Sequence, residues 1–180
     1  SGGSGGGTVS DSSRTPAENA ELALLLEVAG TPKPGNVDRH RDLDDLRFEQ
    51  FLAGSVGSAA GLRTAVDGTP IGEAFERAVR GMSRQSGGNT QFGCLLLLTP
   101  LVGAAADGEL TREAVQGRCR GTTVDDAVAF YRAFEHVDVA VGDPPEDAAD
   151  LDARRGSDAE PALREREVTL WDVMELSADP

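Results

Sequence analysis

Residues 15–30, TPAENAELALLLEVAG, contain the signals that begin and end a helix. Thr15 can cap a helix, Pro16 suits the first helical position, and Glu18 completes a capping box with Thr15. Gly30 is a typical residue for a helix C-terminus. The stretch therefore predicts a helix from Pro16 to Ala29, directly before a segment of different character.

Apolar residues at spacings of three and four predict further helices along the chain. One runs from about Asp45 to Arg63, the next begins at Thr69 and Pro70, and another runs from about Thr123 to Val137. The helix that follows Asn89 is apolar on all sides, so we expect a buried central helix that bends or ends near Pro100.

The C-terminal part has a different composition. After residue 142 the chain is polar and rich in turn residues, and we expect it to lie mostly on the surface until the short amphipathic segment TLWDVMEL (169–176). No run of alternating β-branched residues indicates a sheet. The predicted fold is therefore all-α, a single-domain multi-helix bundle with a buried central helix.

The length of 180 residues suits one domain. We expect residues 1–14 to be a flexible Gly/Ser tail and residues 15–180 to be the domain. Because the chain ends soon after a promising amphipathic segment, we also expect that its C-terminal part is shortened.

Composition excludes several classes of partner. The net charge of −14 and the pI near 4.4 disfavour nucleic acid and anionic membrane surfaces, which require a basic face. The longest apolar run, residues 94–106, is too short to span a bilayer, and no signal peptide is evident, so we expect a soluble cytoplasmic protein. Cys94 and Cys119 are too few for a disulfide framework.

The acidic surface has two interpretations. One lysine against 16 arginines, many acids and 4% aromatics suit a salt-rich cytoplasm, where screening reduces self-repulsion. A GC-rich genome would favour the same residue types. We favour a halophilic cytoplasm. The sequence leaves the oligomeric state open, with a homodimer as one option.

The first candidate site is TPKPGNVDRHRDLDD, residues 31–45. Prolines on both sides of Lys33 stiffen the backbone, and a pre-set ammonium loses less entropy on binding phosphate. Asn36, Asp38 and Asp42 are oxygen donors of the kind that Mg²⁺ takes alongside substrate phosphates. The alternative is a helix-ending loop followed by a solvated, internally paired run of charges. His40 alone is a weak candidate, since no zinc-ligand spacing surrounds it.

The second candidate site is SGGNTQFG, residues 86–93. Free N–H groups at the start of a helix can hold an anion, but an ordinary Asn or Thr helix cap explains the same residues. A third stretch, His136-Val137-Asp138, lies at a helix C-terminus, where a histidine is favoured electrostatically, and we interpret it as structural.

Together the two motifs resemble those of the CitG/MdcB family, the triphosphoribosyl-dephospho-CoA synthases. Thr31 to Gly35, Val37 and Asp38 match that family's TPKPG-x-Val-Asp element, and His40 and Asp42 match its His-x-Asp-Met element, with Leu43 for Met. The stretch from Gly87 to Gly93 is similar to its Gly-x-Asn-Thr-His-Lys-Gly element. The resemblance covers residues 16–105 well and the remainder loosely, and it suggests a divergent, archaeal-type (haloarchaeal) member.

The resemblance implies an ATP-dependent transferase. Such an enzyme joins the ribose of ATP to the 2′-hydroxyl of 3′-dephospho-CoA, releases adenine and keeps the triphosphate, in the biosynthesis of a prosthetic group. It implies ATP as substrate, Mg²⁺ as cofactor, and nucleotide and CoA-type small molecules as partners. The implied residues are catalytic Asp38, His40 and Asp42; nucleotide-binding Lys33, Asn36, Arg39, Gly88, Asn89 and Thr90; and the metal ligands Asp38 and Asp42.

The chain also departs from the family pattern. Gln91 and Phe92 stand where the family has His-Lys, which removes one cation and one candidate for proton transfer. The family's later Gly-Leu-Arg-Gly-Glu-Ala element has no convincing match. Two alternatives follow: the same scaffold acting on another acceptor in cofactor biosynthesis, or a nucleotide-binding helical protein without catalysis.

Overall fold

The computed structural model describes residues 13–30, 37–40, 42–43, 47–87, 90–139 and 146–178. Within these ranges the chain forms α-helices and short 3-10 helices and no strand, which confirms the all-α prediction. The α-helices are α1 (Pro16–Ala29), α2 (Phe48–Val66), α3 (Ile71–Ser86), α4 (Phe92–Ala106), α5 (Arg112–Arg120), α6 (Val124–Ala133), α7 (Glu160–Glu165) and α8 (Leu170–Ala178). None of these helices is long and apolar enough to cross a membrane.

Helix α1 has the ends that the sequence predicts. The hydroxyl of Thr15 accepts the N–H of Glu18 at 3.2 Å, and the Glu18 carboxylate accepts the N–H of Thr15 at 2.7 Å, which is a complete capping box. At the other end, the N–H of Gly30 donates to the carbonyl of Leu26 at 3.0 Å. Both ends were predictable because they depend on residues only three or four positions apart.

Helices α2 and α3 pack backbone to backbone along a glycine seam formed by Gly57, Gly61 and Gly81. A Cβ atom on Gly81 would lie 2.1 Å from the carbonyl oxygen of Gly57, and one on Gly61 would lie 2.2 Å from the backbone nitrogen of Ala78. Real Cβ atoms do not come this close to backbone, so only glycine allows the two helices to approach to this distance. The seam fixes the relation between the two helices on which the candidate site is built.

Helix α4 does not have the end near Pro100 or the burial on all sides that were considered for it. It continues through Pro100 for six further residues, so it does not end there. It is buried on one side only: Leu95 is fully buried, whereas Leu97 is 69% exposed and Leu101 37% exposed. The more central position belongs to α3, which packs against α2, α4 and α6.

Four phenylalanines join the helices on the buried side of α4. The rings of Phe75 and Phe92 meet edge to face with centroids 5.0 Å apart, and Phe92 lies 4.9 Å from Phe134. Phe130 of α6 contacts all three of these rings. Edge-to-face and tilted pairs of this kind add to the burial energy of aromatic side chains.

The second half of the chain is more ordered than its composition predicts. Helix α5 was not expected, and α6 ends at Ala133, followed by a 3-10 turn over Phe134–His136 instead of continuing to Val137. Two further 3-10 segments span Glu146–Leu151 and Ala153–Ala159. Most described residues of 149–161 are exposed or partly exposed, as expected, but Leu151 and Ala159 are buried in the main core, as is Leu163 just beyond them.

Helix α8 closes this core by hydrogen bonding to the start of α6. The carbonyl of Thr123 accepts the N–H of Leu170 at 3.3 Å, and the hydroxyl of Thr122 accepts the N–H of Trp171 at 2.9 Å. Leu170 is fully buried. The predicted amphipathic segment at 169–176 is therefore confirmed as a helix that packs on the domain.

Candidate active site

The two sequence motifs meet on the N-terminal half of α2. In the first motif, Val37 is fully buried and packs in a small apolar cluster with Val28 of α1 and Phe51 of α2. In the second motif, the side chain of Gln91 accepts a hydrogen bond from the hydroxyl of Ser55, one turn beyond Phe51. The fold therefore brings to one end of the bundle two stretches that are about fifty residues apart in the sequence.

Of the first motif, the structure describes residues 37–40 and 42–43; Lys33 and Asn36 lie outside the described residues. Asp38 is only 5% exposed, and its carboxylate accepts the N–H of His40 at 2.7 Å. The carboxylate of Asp42 accepts the N–H of Phe48 at 2.9 Å and so caps α2. Helix α2 therefore begins at Phe48, whereas its predicted start, Asp45, is outside the described residues.

The side chains of Arg39 and His40 are exposed and lie beside the buried Asp38. A cationic side chain and an imidazole are thus available to solvent next to a carboxylate that shapes the loop. The exposed side chains of Arg39 and His40 can contact a charged ligand, while the buried carboxylate of Asp38 holds the backbone of the loop.

Of the second motif, Gly88 and Asn89 lie outside the described residues, while Thr90 is described. The hydroxyl oxygen of Thr90 is buried and finds no hydrogen-bond partner among the described residues. It faces Gly54 of α2, where a Cβ atom would lie 2.5 Å from it. Gly54 therefore allows the second motif to lie directly against α2.

Sequence reasoning treated Gln91 only as the loss of a histidine, and the structure gives its side chain a definite role. Gln91 is 5% exposed, and its amide nitrogen donates to the carbonyl of Leu24 at 2.8 Å and to the carboxylate of Glu27 at 3.0 Å. Its amide oxygen accepts from Ser55 at 2.8 Å. One buried amide thus joins α1, α2 and the start of α4.

Gln50 ties the same end of α2 to α3. Its side-chain oxygen accepts the N–H of Arg47 at 2.7 Å, and its side-chain nitrogen donates to the carbonyl of Ser86 at 3.2 Å. We call Glu27, Gln50, Ser55, Thr90 and Gln91 the polar cluster. A signal was present in the sequence, since Gln50, Gly54 and Ser55 interrupt the apolar stripe of α2 in a helix that is otherwise typical of a core element.

Position 92 faces away from this site. Phe92 is 7% exposed and packs among the other aromatic rings of the core. The two departures at 91 and 92 are therefore both built into the interior of this protein: one side chain orients polar groups, and the other fills the core.

The third stretch, at the end of α6, is held from α3. The carbonyl of His136 accepts the hydroxyl of Ser83 at 2.6 Å, and its imidazole lies 3.8 Å from the buried carboxylate of Glu76. Arg80 and Arg132 pair with the same carboxylate at 2.8 and 3.3 Å. These contacts support the interpretation of His136 as structural.

The described residues contain no group of three or more His, Cys, Asp or Glu side chains placed to hold a metal ion. Mg²⁺ in nucleotide enzymes uses one or two carboxylates together with substrate phosphates and water. Asp38 and Asp42 supply carboxylates of this kind on one loop, so the donor set fits a magnesium nucleotide. Their assignment as ligands stays a prediction.

Fold and site together define a class: an all-α protein with a polar, carboxylate-containing site where two loops meet at one end of a helical bundle. A model of the family described as ATP:dephospho-CoA triphosphoribosyl transferase matches residues 13–179. The chain belongs to this transferase family, which confirms the resemblance found in the two motifs. Searches of curated proteins and of solved structures gave no significant match.

Proposed function

We propose that the chain transfers the triphosphoribosyl group of ATP to the 2′-hydroxyl of dephospho-CoA at the end of the bundle where the polar cluster lies. The family provides the reaction. The location of the reaction is proposed from the meeting of the two motifs on α2. Val37 of the first motif packs on Phe51, and Gln91 of the second motif is hydrogen bonded to Ser55.

The triphosphate is assigned to the first motif. Lys33, Asn36 and Arg39 bind its oxygens, and Asp38 and Asp42 hold Mg²⁺, which when bound offsets the negative charge of the phosphates. The exposed side chain of Arg39 next to the buried Asp38 supports this assignment. In a protein with a net charge of −14, such local cations are needed to keep an anionic substrate in place.

The nucleoside is assigned to the second motif, with Gly88, Asn89 and Thr90 as its contacts. A buried hydroxyl without a partner costs free energy, and the Thr90 hydroxyl has no partner among the described residues. A hydrogen bond to bound nucleotide would satisfy it. This is a reason for a threonine at that place, since its side chain does not cap α4, whose N-cap is Gln91.

The reaction breaks the bond between C1′ of the ribose and N9 of adenine and forms a bond from C1′ to the acceptor oxygen. Adenine leaves with the electron pair of the broken bond and takes up a proton, for which the exposed imidazole of His40 is the assigned donor. The acceptor hydroxyl loses a proton at the same time. Because positive charge develops on the ribose, the nearby carboxylates stabilise the transition state.

The test is to incubate the protein with ATP, Mg²⁺ and 3′-dephospho-CoA in molar KCl and to measure free adenine and the product mass. We expect adenine together with a triphosphoribosylated dephospho-CoA, and loss of both in a folded Lys33→Ala variant. A folded protein that binds ATP but releases no adenine would refute this reaction for this acceptor. The burial of positions 91 and 92 would then favour the second candidate, another acceptor on the same scaffold.

A further inference from the structure

We propose that the cleft between the C-terminal end of α4 and helix α5 binds a small zwitterionic molecule of amino-acid size, through Arg118 and Glu109. The cleft has a volume of about 310 Å³, at the lower end of the range for small-molecule sites. It lies at the end of α4 away from the second motif, about 22 Å along the axis of this helix. The site is therefore separate from the proposed transfer reaction. The residues that line it are Ala104, Asp107, Glu109, Ala114, Gly117 and Arg118.

Helix α5 is not explained by packing against the core. Short helices in proteins depend mostly on the burial of an apolar face. Of the nine residues of α5 only Cys119 is buried, and Ala114 and Gly117, which face the cleft, are too small to fill it. Glycine inside a helix is less favourable than alanine, yet no atom would lie within 4 Å of a Cβ atom on Gly117. Packing does not require a glycine there, and an open cleft accounts for it.

The guanidinium group of Arg118 is held at one wall of the cleft. It lies against the backbone of α4, since a Cβ atom on Gly103 would be 2.8 Å from its Nη1 atom. Its Nη2 atom pairs with the carboxylate of Asp107, and the side chain is only 30% exposed. Its Nε and Nη1 groups have no acceptor among the residues that the structure describes. Arg118 therefore presents hydrogen-bond donors to a ligand from a fixed position.

Glu109 is placed by a turn whose backbone is hydrogen bonded. Its N–H donates to the carbonyl of Ala104 at 3.1 Å, and its carbonyl accepts the N–H of Thr111 at 2.9 Å. Gly108, the residue before it, has a φ of 78°, which glycine adopts readily. The carboxylate of Glu109 is exposed and makes no hydrogen bond or ion pair with a described residue. It is therefore available as an acceptor beside the cleft.

The charges around the cleft select the class of ligand. A purely anionic molecule would be repelled by Asp107 and Glu109, and a purely cationic one by Arg118. A molecule with one carboxylate and one ammonium group avoids both costs. Its carboxylate accepts from the free N–H groups of Arg118, and its ammonium group donates to Glu109. Free α-amino acids have this arrangement, and the small residues of the cleft leave room for a side chain.

The experiment is a titration of isotope-labelled protein with each of the common L-amino acids in molar KCl, followed by heteronuclear NMR. We expect at least one of them to shift the backbone amide signals of residues 104–118. For that amino acid, the N-acetyl derivative lacks the ammonium group and the methyl ester lacks the carboxylate. Each derivative should bind about tenfold more weakly or worse, the effect of losing a hydrogen bond to a charged group.

Variants of the cleft test the two assigned contacts. Arg118→Met and Glu109→Gln should each weaken binding about tenfold or more, because each removes one charged contact. Arg112→Met and Glu113→Gln are the matched controls, since both residues are exposed on α5 and do not line the cleft, and they should bind like the wild type. Gly117→Leu places a side chain in the cleft and should abolish binding.

Three results would overturn the proposal. One is the absence of shifts in residues 104–118 with every amino acid, another is equal binding of the amino acid and its two derivatives, and the third is equal weakening in the control variants. If Arg118→Met does not fold, Glu109→Gln decides, because this exposed carboxylate has no partner to lose among the described residues. The readout does not depend on adenine release, so a failure of the transfer reaction is distinguished from a failure of this site.

Discussion

The two halves of α2 are held against the molecule by different means. The C-terminal half meets α3 along the glycine seam, where backbone touches backbone and no polar side chain is needed. The N-terminal half meets the second motif through two side-chain hydrogen bonds, from Gln50 to the carbonyl of Ser86 and from Ser55 to the amide oxygen of Gln91. Shape fixes the first region, whereas paired polar groups fix the second, which is where the proposed function locates the reaction.

The largest effect is expected at the glycine seam. Gly61→Ala or Gly81→Ala places a methyl group about 2 Å from backbone atoms of the facing helix, so one helix must move. We expect a loss of about 3 kcal/mol in the free energy of unfolding, at the upper end for overpacked cores. Urea denaturation in molar KCl measures it.

Gly117→Ala in α5 is the matched control, because no atom would lie within 4 Å of the new methyl group. Alanine is the better helix former, so this variant should gain up to about 1 kcal/mol. If Gly61→Ala were as stable as this control, the close approach of α2 and α3 would be wrong.

A smaller effect is expected at the polar cluster. Gln91→Leu keeps the size of the side chain but leaves Ser55 and Glu27 without their amide partner. We expect a loss of about 2 kcal/mol in the free energy of unfolding, because the variant loses the three side-chain hydrogen bonds of Gln91. Amide hydrogen exchange should show the loss of protection in the last turn of α1.

The control for this change is Gln116→Leu on the exposed side of α5, which should leave stability nearly unchanged. Equal behaviour of the two glutamine variants would mean that the polar cluster does not hold the helices together. The contrast between the two halves of α2 would then be lost.

The smallest effect on stability is expected for the buried hydroxyl group of Tyr131 in the main core. The hydroxyl of Tyr131 donates to the carbonyl of Leu151 at 2.5 Å, and burial, helped by the charges of Asp152 and Asp150, raises the pKa of Tyr131 to about 12. Tyr131→Phe removes one hydrogen bond, for which we expect a loss of about 1 kcal/mol at neutral pH.

The pH dependence gives Tyr131 a signature of its own. An unfolded tyrosine releases its proton near pH 10, whereas the folded one keeps it to about 12. The contribution of Tyr131 to the free energy of unfolding is therefore complete below pH 10 and is lost as the pH rises toward 12. The free energy of unfolding of the wild type should therefore fall between pH 10 and 12, and that of Tyr131→Phe should fall less steeply. Parallel plots of unfolding free energy against pH for the two proteins would contradict the raised pKa.

The predictable parts of the fold depend on residues close in sequence. Thr15 and Glu18 cap α1 as expected, because a capping box needs only a four-residue pattern. Helix α5 was missed because only Cys119 of its nine residues is buried, so the sequence carries no apolar stripe there. Helix α4 passes Pro100 because packing against the core outweighs one missing hydrogen bond.

The candidate site was only partly predictable, because its parts are brought together by contacts between residues far apart in the sequence. The two motifs identify the loops, but nothing in residues 31–45 indicates that α2 joins them to residues 86–93. Glu27 and Gln91 lie 64 positions apart, and their hydrogen bond depends on how α1 packs beside α4. Pairings of this kind follow from the assembled core and cannot be inferred from local patterns.

The hydrogen bonds between α8 and the start of α6 have a consequence for how the chain is made. Thr122 and Thr123 find partners in Leu170 and Trp171, which a ribosome adds well after it has made α6. Until then the apolar face of α6 that α8 covers is open to water. The nascent chain therefore cannot complete this part of its interior until α8 has been made.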